Sequence, residues 1–168
     1  MAQGREHDRT TALLSLPIGL GTALLLNWPS GLIAAAAFSF GGLWLSPDLD
    51  TRCRALRRWG PLQFIWWPYR SLIPHRSLLS HGPLIGTSLR LMLLLLWASV
   101  LCGVMPQITI DQLWRALNLW STSNPDQAIA VAVGLEGSVW LHLIQDGDPL
   151  PTEWHAIQRI RQRFRRRR

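Results

Sequence analysis

Aspartate and histidine recur in five short clusters along the chain: His7-Asp8, Asp48-Leu49-Asp50, His75-Arg76, His81 and His142-x-x-x-Asp146. Imidazole nitrogen and carboxylate oxygen together are donors for a divalent transition metal, and the mixture suits Zn, Mn or Fe better than Ca or Mg. Asp48, Asp50, His75, His81, His142 and Asp146 offer enough ligands for one ion and, if divided, for two, with zinc the first choice. His7 and Asp8 are further ligands, or partners that orient the ligands. Four residues apart on a helix, His142 and Asp146 share one face, a turn from each other. Arg76, next to His75, carries a planar fork suited to a phosphate or carboxylate, although a solvated structural arginine fits the position equally well. A single histidine is more often a satisfied structural residue; here the set carries the reading.

The elements that must position these residues are apolar. In 168 residues with ten tryptophans and a mean hydropathy of +0.13, the apolar residues gather in blocks at 10–26, 28–45, 89–105 and 128–144. Each is about 17 residues long, the lower limit for a spanning helix. Pro17, Gly19, Gly21, Gly31, Gly41 and Gly42 would weaken helices in water, whereas small residues let membrane helices approach closely. The expectation is an all-α, four-helix transmembrane bundle over residues 1–150 and an arginine-rich tail over 151–168. A soluble, buried helical bundle is the alternative.

Arginine sets the orientation. All 17 basic residues are arginine, and the formal net charge is +7. Arg5 and Arg9 precede the first block, Arg52, Arg54, Arg57, Arg58, Arg70 and Arg76 lie between the second and third, and seven more end the chain. Only Arg115 lies in the third connection. The positive-inside rule then places both termini and the 48–81 connection in the cytoplasm, in a multi-pass protein of a bacterial inner or a thylakoid membrane. On this topology every His/Asp cluster falls at the cytoplasmic end of the bundle, where polar groups near lipid are costly enough to suggest function.

Aromatic residues alternate with arginines from Arg52 to Arg70, as in an interfacial cytoplasmic loop able to cover a metal cavity. Trp154, Ile157, Ile160 and Phe164 recur near helical spacing among the terminal arginines, a pattern for an amphipathic helix on anionic lipid. RNA is the weaker partner for that tail, and no obligate protein partner can be deduced. The first block lacks a small-residue cleavage site and reads as a retained span.

Gly4-Arg5-Glu6-His7-Asp8-Arg9, Ser46-Pro47-Asp48-Leu49-Asp50-Thr51, Trp66-Trp67-Pro68-Tyr69, the run from Pro74 through His75, Arg76 and His81 to Pro83, and His142-x-x-x-Asp146 resemble a bacterial family, common in cyanobacteria, of metal-binding membrane proteins of unknown function. The resemblance covers nearly residues 4–148. More distantly, Pro-Asp-x-Asp, His-Arg-x-x-x-x-His and His-x-x-x-Asp look like the YdjM-type membrane-bound metal-dependent hydrolases, with Ser80-His81-Gly82 where that group commonly has Thr-His-Ser. The resemblance implies metal binding more firmly than catalysis.

The expected function is a membrane-embedded, metal-dependent hydrolase acting on a phosphate or carboxylic ester at the cytoplasmic face; a nonenzymatic metal carrier, sensor or assembly factor is the alternative. Residues 138–146 partly imitate the ending of membrane phosphatidate-type phosphatases, with His142 one position early, but a chain without lysine lacks that class's phosphate motif. A transporter would need ionisable groups through the bilayer, and only Glu136 lies near mid-span. Glu136 is displaced from the His142–Asp146 face and is expected outside the ligand set, and Ser138 is expected to serve helix packing.

Overall fold

The computed structural model describes residues 4–104 and 109–147, and these form helices and turns with no strand among them. Helix α1 (Gly4–Leu25) and helix α2 (Trp28–Leu43) make a hairpin. Asn27 starts α2: its side chain accepts from the Ser30 backbone N–H, and Pro29 occupies the first turn, where no intrahelical donor is needed. The same side chain donates to Asp126 at 2.9 Å, which ties the hairpin turn to the start of helix α8 (Pro125–Gln145).

Small residues bring α2 close to a neighbour on each side. Gly31 lies against Ala23 and the Gly19 carbonyl of α1. Gly134 of α8 faces the Ala34 carbonyl so closely that a Cβ there would stand 2.5 Å from the oxygen. Glycine at that point converts a missing side chain into backbone contact, the usual means by which apolar helices associate without a hydrophobic drive from water. Ser138 packs against Gly41 and donates to the Leu135 carbonyl at 2.7 Å, so it serves packing as its size predicts.

Among the described residues, three helical segments are long and apolar enough to cross a membrane: Trp28–Asp50, Ile85–Val104 (helix α6) and Pro125–Gln145. The sequence pattern predicts four. Helix α1 is not among the three, because Arg5, Glu6, His7, Asp8 and Arg9 lie within its first turns and Thr10, Thr11 and Ser15 dilute the turns after them. Helix α6 joins the α1–α2–α8 layer by its beginning, where Gly86, Thr87 and Arg90 are its buried residues. Among the described residues, α1, α2 and α8 pack most closely, with α6 joined to them at its beginning.

Between α2 and α6 the chain makes a 3-10 turn (Pro47–Asp50), helix α3 (Arg54–Arg58), a second 3-10 segment (Gly60–Trp66), helix α4 (Trp67–Leu72) and helix α5 (Leu78–His81). The aromatic stretch divides into two sides. Leu56, Ile65, Trp66 and Tyr69 turn inward and build the core with Leu45, Leu49 and Leu135, whereas Leu62, Phe64, Trp67 and Leu72 remain exposed. Trp97 of α6 donates its indole N–H to the Ile65 carbonyl at 2.9 Å, anchoring this connection to the third apolar helix.

Helix α7 (Ile110–Ser123) falls where the sequence pattern predicts only a connection. It is opened by a Thr109/Gln112 capping box and buries none of its residues. The boundary at residue 150 and the basic amphipathic helix expected after it lie outside the described residues.

Candidate metal centre

The 3-10 turn presents the first two carboxylates. Ser46 caps it by accepting from the Asp48 N–H, Pro47 fixes its entry, and the Thr51 N–H closes it on the Asp48 carbonyl. A second local device sets His81: the Ser77 and Ser80 side chains cap α5 reciprocally, and the Ser80 hydroxyl lies 2.8 Å from His81 Nδ1. Helix α8 brings His142 on its last turn and ends at Asp146, whose backbone N–H returns to the His142 carbonyl.

These elements converge. Asp48 Oδ1 stands 3.4 Å from Nε2 of His81 and 3.4 Å from Nε2 of His142, and Asp146 Oδ2 lies 3.7 Å from the same His142 nitrogen. Asp48, His81, His142 and Asp146 each place one donor atom within 4.8 Å of the others. Asp50, His75 and His81 form a second such group. Here the Asp50 side chain is fully buried and reaches His75 Nδ1 at 3.0 Å and His81 Nδ1 at 3.8 Å. The six residues expected in one cavity therefore divide into two groups joined at His81.

His7 lies beside the first group. Its Nε2 is 3.2 Å from Asp146 Oδ1, its Nδ1 is 2.9 Å from Gln145 Oε1, and its ring stacks on His142. Asp8 does not join it. Successive helical residues point about 100° apart, and Asp8 turns instead to Arg54 and Arg58, pairing with both. It belongs to a bridge between α1 and α3, not to either donor group. Arg76 sits at the rim with Nη2 3.7 Å from Asp146 Oδ2, on backbone held at φ 57°, a left-handed conformation that side chains other than glycine seldom adopt.

Three contributors carry no ligand-type signature. Gln145 holds His7, Ser80 holds His81, and Arg90, fully buried in α6, donates to the Ser80 carbonyl at 2.8 Å and to Thr87 at 3.3 Å. The Ser77-x-x-Ser80 capping pattern is the one local signal that could reveal any of them. Glu136 takes no place in either group and accepts from the Leu84 N–H at 2.9 Å. Cys53 is spoken for locally: it caps α3 by accepting from Leu56, and burial pushes its thiol pKa up, away from the thiolate a metal requires.

The donor chemistry fits a cation. His81 Nε2 and His142 Nε2 are both buried and make no hydrogen bond among the described residues, although Asp48 faces them. Buried imidazole nitrogens facing a carboxylate without hydrogen-bond geometry call for an explanation, and an ion between them and the carboxylate supplies one.

Among the described residues, helices and turns alone, three segments long and apolar enough to span a membrane, and a histidine–aspartate box with its imidazoles buried are the features of a metal-binding protein and are consistent with a membrane one. The chain belongs to the family of uncharacterized metal-binding proteins (DUF2227), whose model matches residues 2–158. No curated protein and no solved structure matches it, and the distant likeness to YdjM-type hydrolases gains no support from these comparisons.

Proposed function

We propose that the chain is a multi-pass membrane protein that binds a divalent metal through Asp48, His81, His142 and Asp146 and uses it as a hydrolase of phosphate or carboxylic esters at the cytoplasmic face. The observation that carries metal binding is the convergence of two buried imidazole nitrogens on one carboxylate oxygen, each 3.4 Å from it and neither in hydrogen-bond geometry with it. Donors bound to one ion at about 2.0–2.1 Å in a tetrahedron stand roughly 3.3 Å apart, so the separations suit zinc, with manganese and iron as alternatives. The arginine distribution supports the cytoplasmic placement with α1 as a fourth span, and the terminal arginines would add attraction to anionic lipid on the same leaflet.

When bound, the ion would supply Lewis acidity to an ester or phosphate oxygen. The chain's own residues would do the rest. Asp146 is contacted by His7 and Arg76 as well as by His142, contacts that would orient it toward the ion; exchange of this one carboxylate for substrate would leave three ligands, the pattern of catalytic sites. Arg76 Nη2 makes no hydrogen bond and would receive a substrate anion beside the ion.

The second reading, a carrier, sensor or assembly factor, is favoured by the presence of four protein donors in one box, since a filled tetrahedron leaves no open position. Elemental analysis of the detergent-purified protein, paired with an ester-hydrolysis panel, separates the readings. Alanine at Asp48, His81 or His142 should strip the ion, while alanine at exposed Asp111 should not. Stable metal with no turnover on any phosphate or carboxylic ester would select the second reading; full metal content in all three variants would defeat both.

A further inference from the structure

A different part of the molecule gathers three arginines around one open cavity. Arg54, Arg57 and Arg58 line a cavity of about 350 Å³. Asp8 pairs with Arg54 and Arg58, so among the described residues that line or pair at the cavity three guanidinium groups meet one carboxylate, a positive excess. Arg57 is exposed and takes no part in the pairs with Asp8.

The site is built against the end of an apolar helix. Arg58 Nη1 donates to the Leu43 carbonyl at 2.8 Å and lies over the Trp44 ring at 5.9 Å, while the Trp59 indole donates to the Trp44 carbonyl at 2.9 Å. These bonds satisfy carbonyls that a helix C-terminus leaves open and fix α3 at the level where the apolar stretch stops. Trp44, beside Arg58, is exposed, the residue type that settles at a membrane–water boundary. Guanidinium forks match phosphate geometry, and the phosphate available at this level is that of a lipid.

We propose that Arg54, Arg57 and Arg58 bind the phosphate group of an anionic phospholipid. The site is independent of the metal centre, although His7 and Asp8, neighbours in sequence, face the two in turn.

The test uses the full chain in detergent micelles titrated with phosphatidylglycerol, bound lipid being counted by native mass spectrometry. The Arg57→Gln variant should bind it roughly fivefold more weakly, the loss expected for one arginine near a charged surface, and Arg57→Lys should recover most of the affinity. Arg115→Gln, exposed on α7, should match the wild type; the terminal arginines contribute equally to every variant. Phosphatidylcholine and inorganic phosphate at the same phosphate concentration should bind far less. Equal affinity in Arg57→Gln and wild type overturns the site, as does an equal loss in Arg115→Gln. Inorganic phosphate binding as tightly as the lipid would reassign the cavity to a soluble anion and overturn the lipid as its occupant. Because Arg57 is exposed, its replacement leaves the fold intact, and a thermal melt of each variant checks this.

Discussion

The rings of His7 and His142 stack with centroids 4.4 Å apart and planes 28° from parallel, joining the first turns of α1 to the last turn of α8. The contact lies on the flank of His142, so His7 steadies a donor and also reaches Asp146. His7→Ala should therefore weaken the metal about 10- to 100-fold without abolishing it, the usual effect of losing a residue that orients a ligand. Competition against a chelator measures this. Complete loss, as in His142→Ala, would make His7 a ligand itself.

Removing the ion should destabilise the fold where α8, α5 and the 3-10 turn meet. An ion bound to the folded state at a hundredfold excess over its dissociation constant adds about 2.7 kcal/mol. Chelation should lower the melting temperature, and restoring the metal should recover it. A melting temperature indifferent to chelation in a protein shown to lose its ion would mean that the donor box is preformed by other contacts.

Arg90 should matter more than its distance from the donors suggests. Its guanidinium holds the Ser80 carbonyl, and the Ser80 hydroxyl holds His81. Arg90→Met would leave that carbonyl bare at a cost of about 1–3 kcal/mol and should lower metal affinity as well; Arg90→Lys should restore part of both. Thermal melts and metal titrations of the two variants check the order. A methionine variant with native affinity would confine Arg90 to packing.

Gly134→Ala should be destabilising by about 1–3 kcal/mol, the common cost of overpacking, because the new Cβ meets the Ala34 carbonyl and the Phe38 nitrogen at 2.5 and 2.8 Å. Gly21→Ala, with open space around it, should be neutral or gain up to about 1 kcal/mol from helix propensity. Unfolding in detergent compares them. If both behave alike, backbone contact between α2 and α8 is not what holds the layer.

The apolar blocks at 28–45, 89–105 and 128–144 are legible in sequence because each is a continuous run, and α2, α6 and α8 lie over them. Helix α7 is not legible in the same way: its apolar residues alternate with Asp111, Gln112, Arg115 and Asn118, a pattern that a search for long apolar runs passes over. In the site, the His142–Asp146 pairing comes from a spacing that one helix enforces. The separation of Asp48 from Asp50 does not, because the intervening turn is 3-10, and at three residues per turn positions two apart sit about 120° round the axis. Ser80, Gln145 and Arg90 stay hidden for another reason: their roles arise from contacts with single histidines or carbonyls and leave no periodic trace.

His81 stands between the two donor groups, its Nε2 toward Asp48 and its Nδ1 toward Asp50 and Ser80. A neutral imidazole has one nitrogen lone pair to give, the other nitrogen carrying a proton. Whichever group draws on that lone pair obliges the opposite nitrogen to act as a donor, so the two groups compete for a single ring, and His81 can ligate in both at once only if the ring surrenders its last proton to become a bridge.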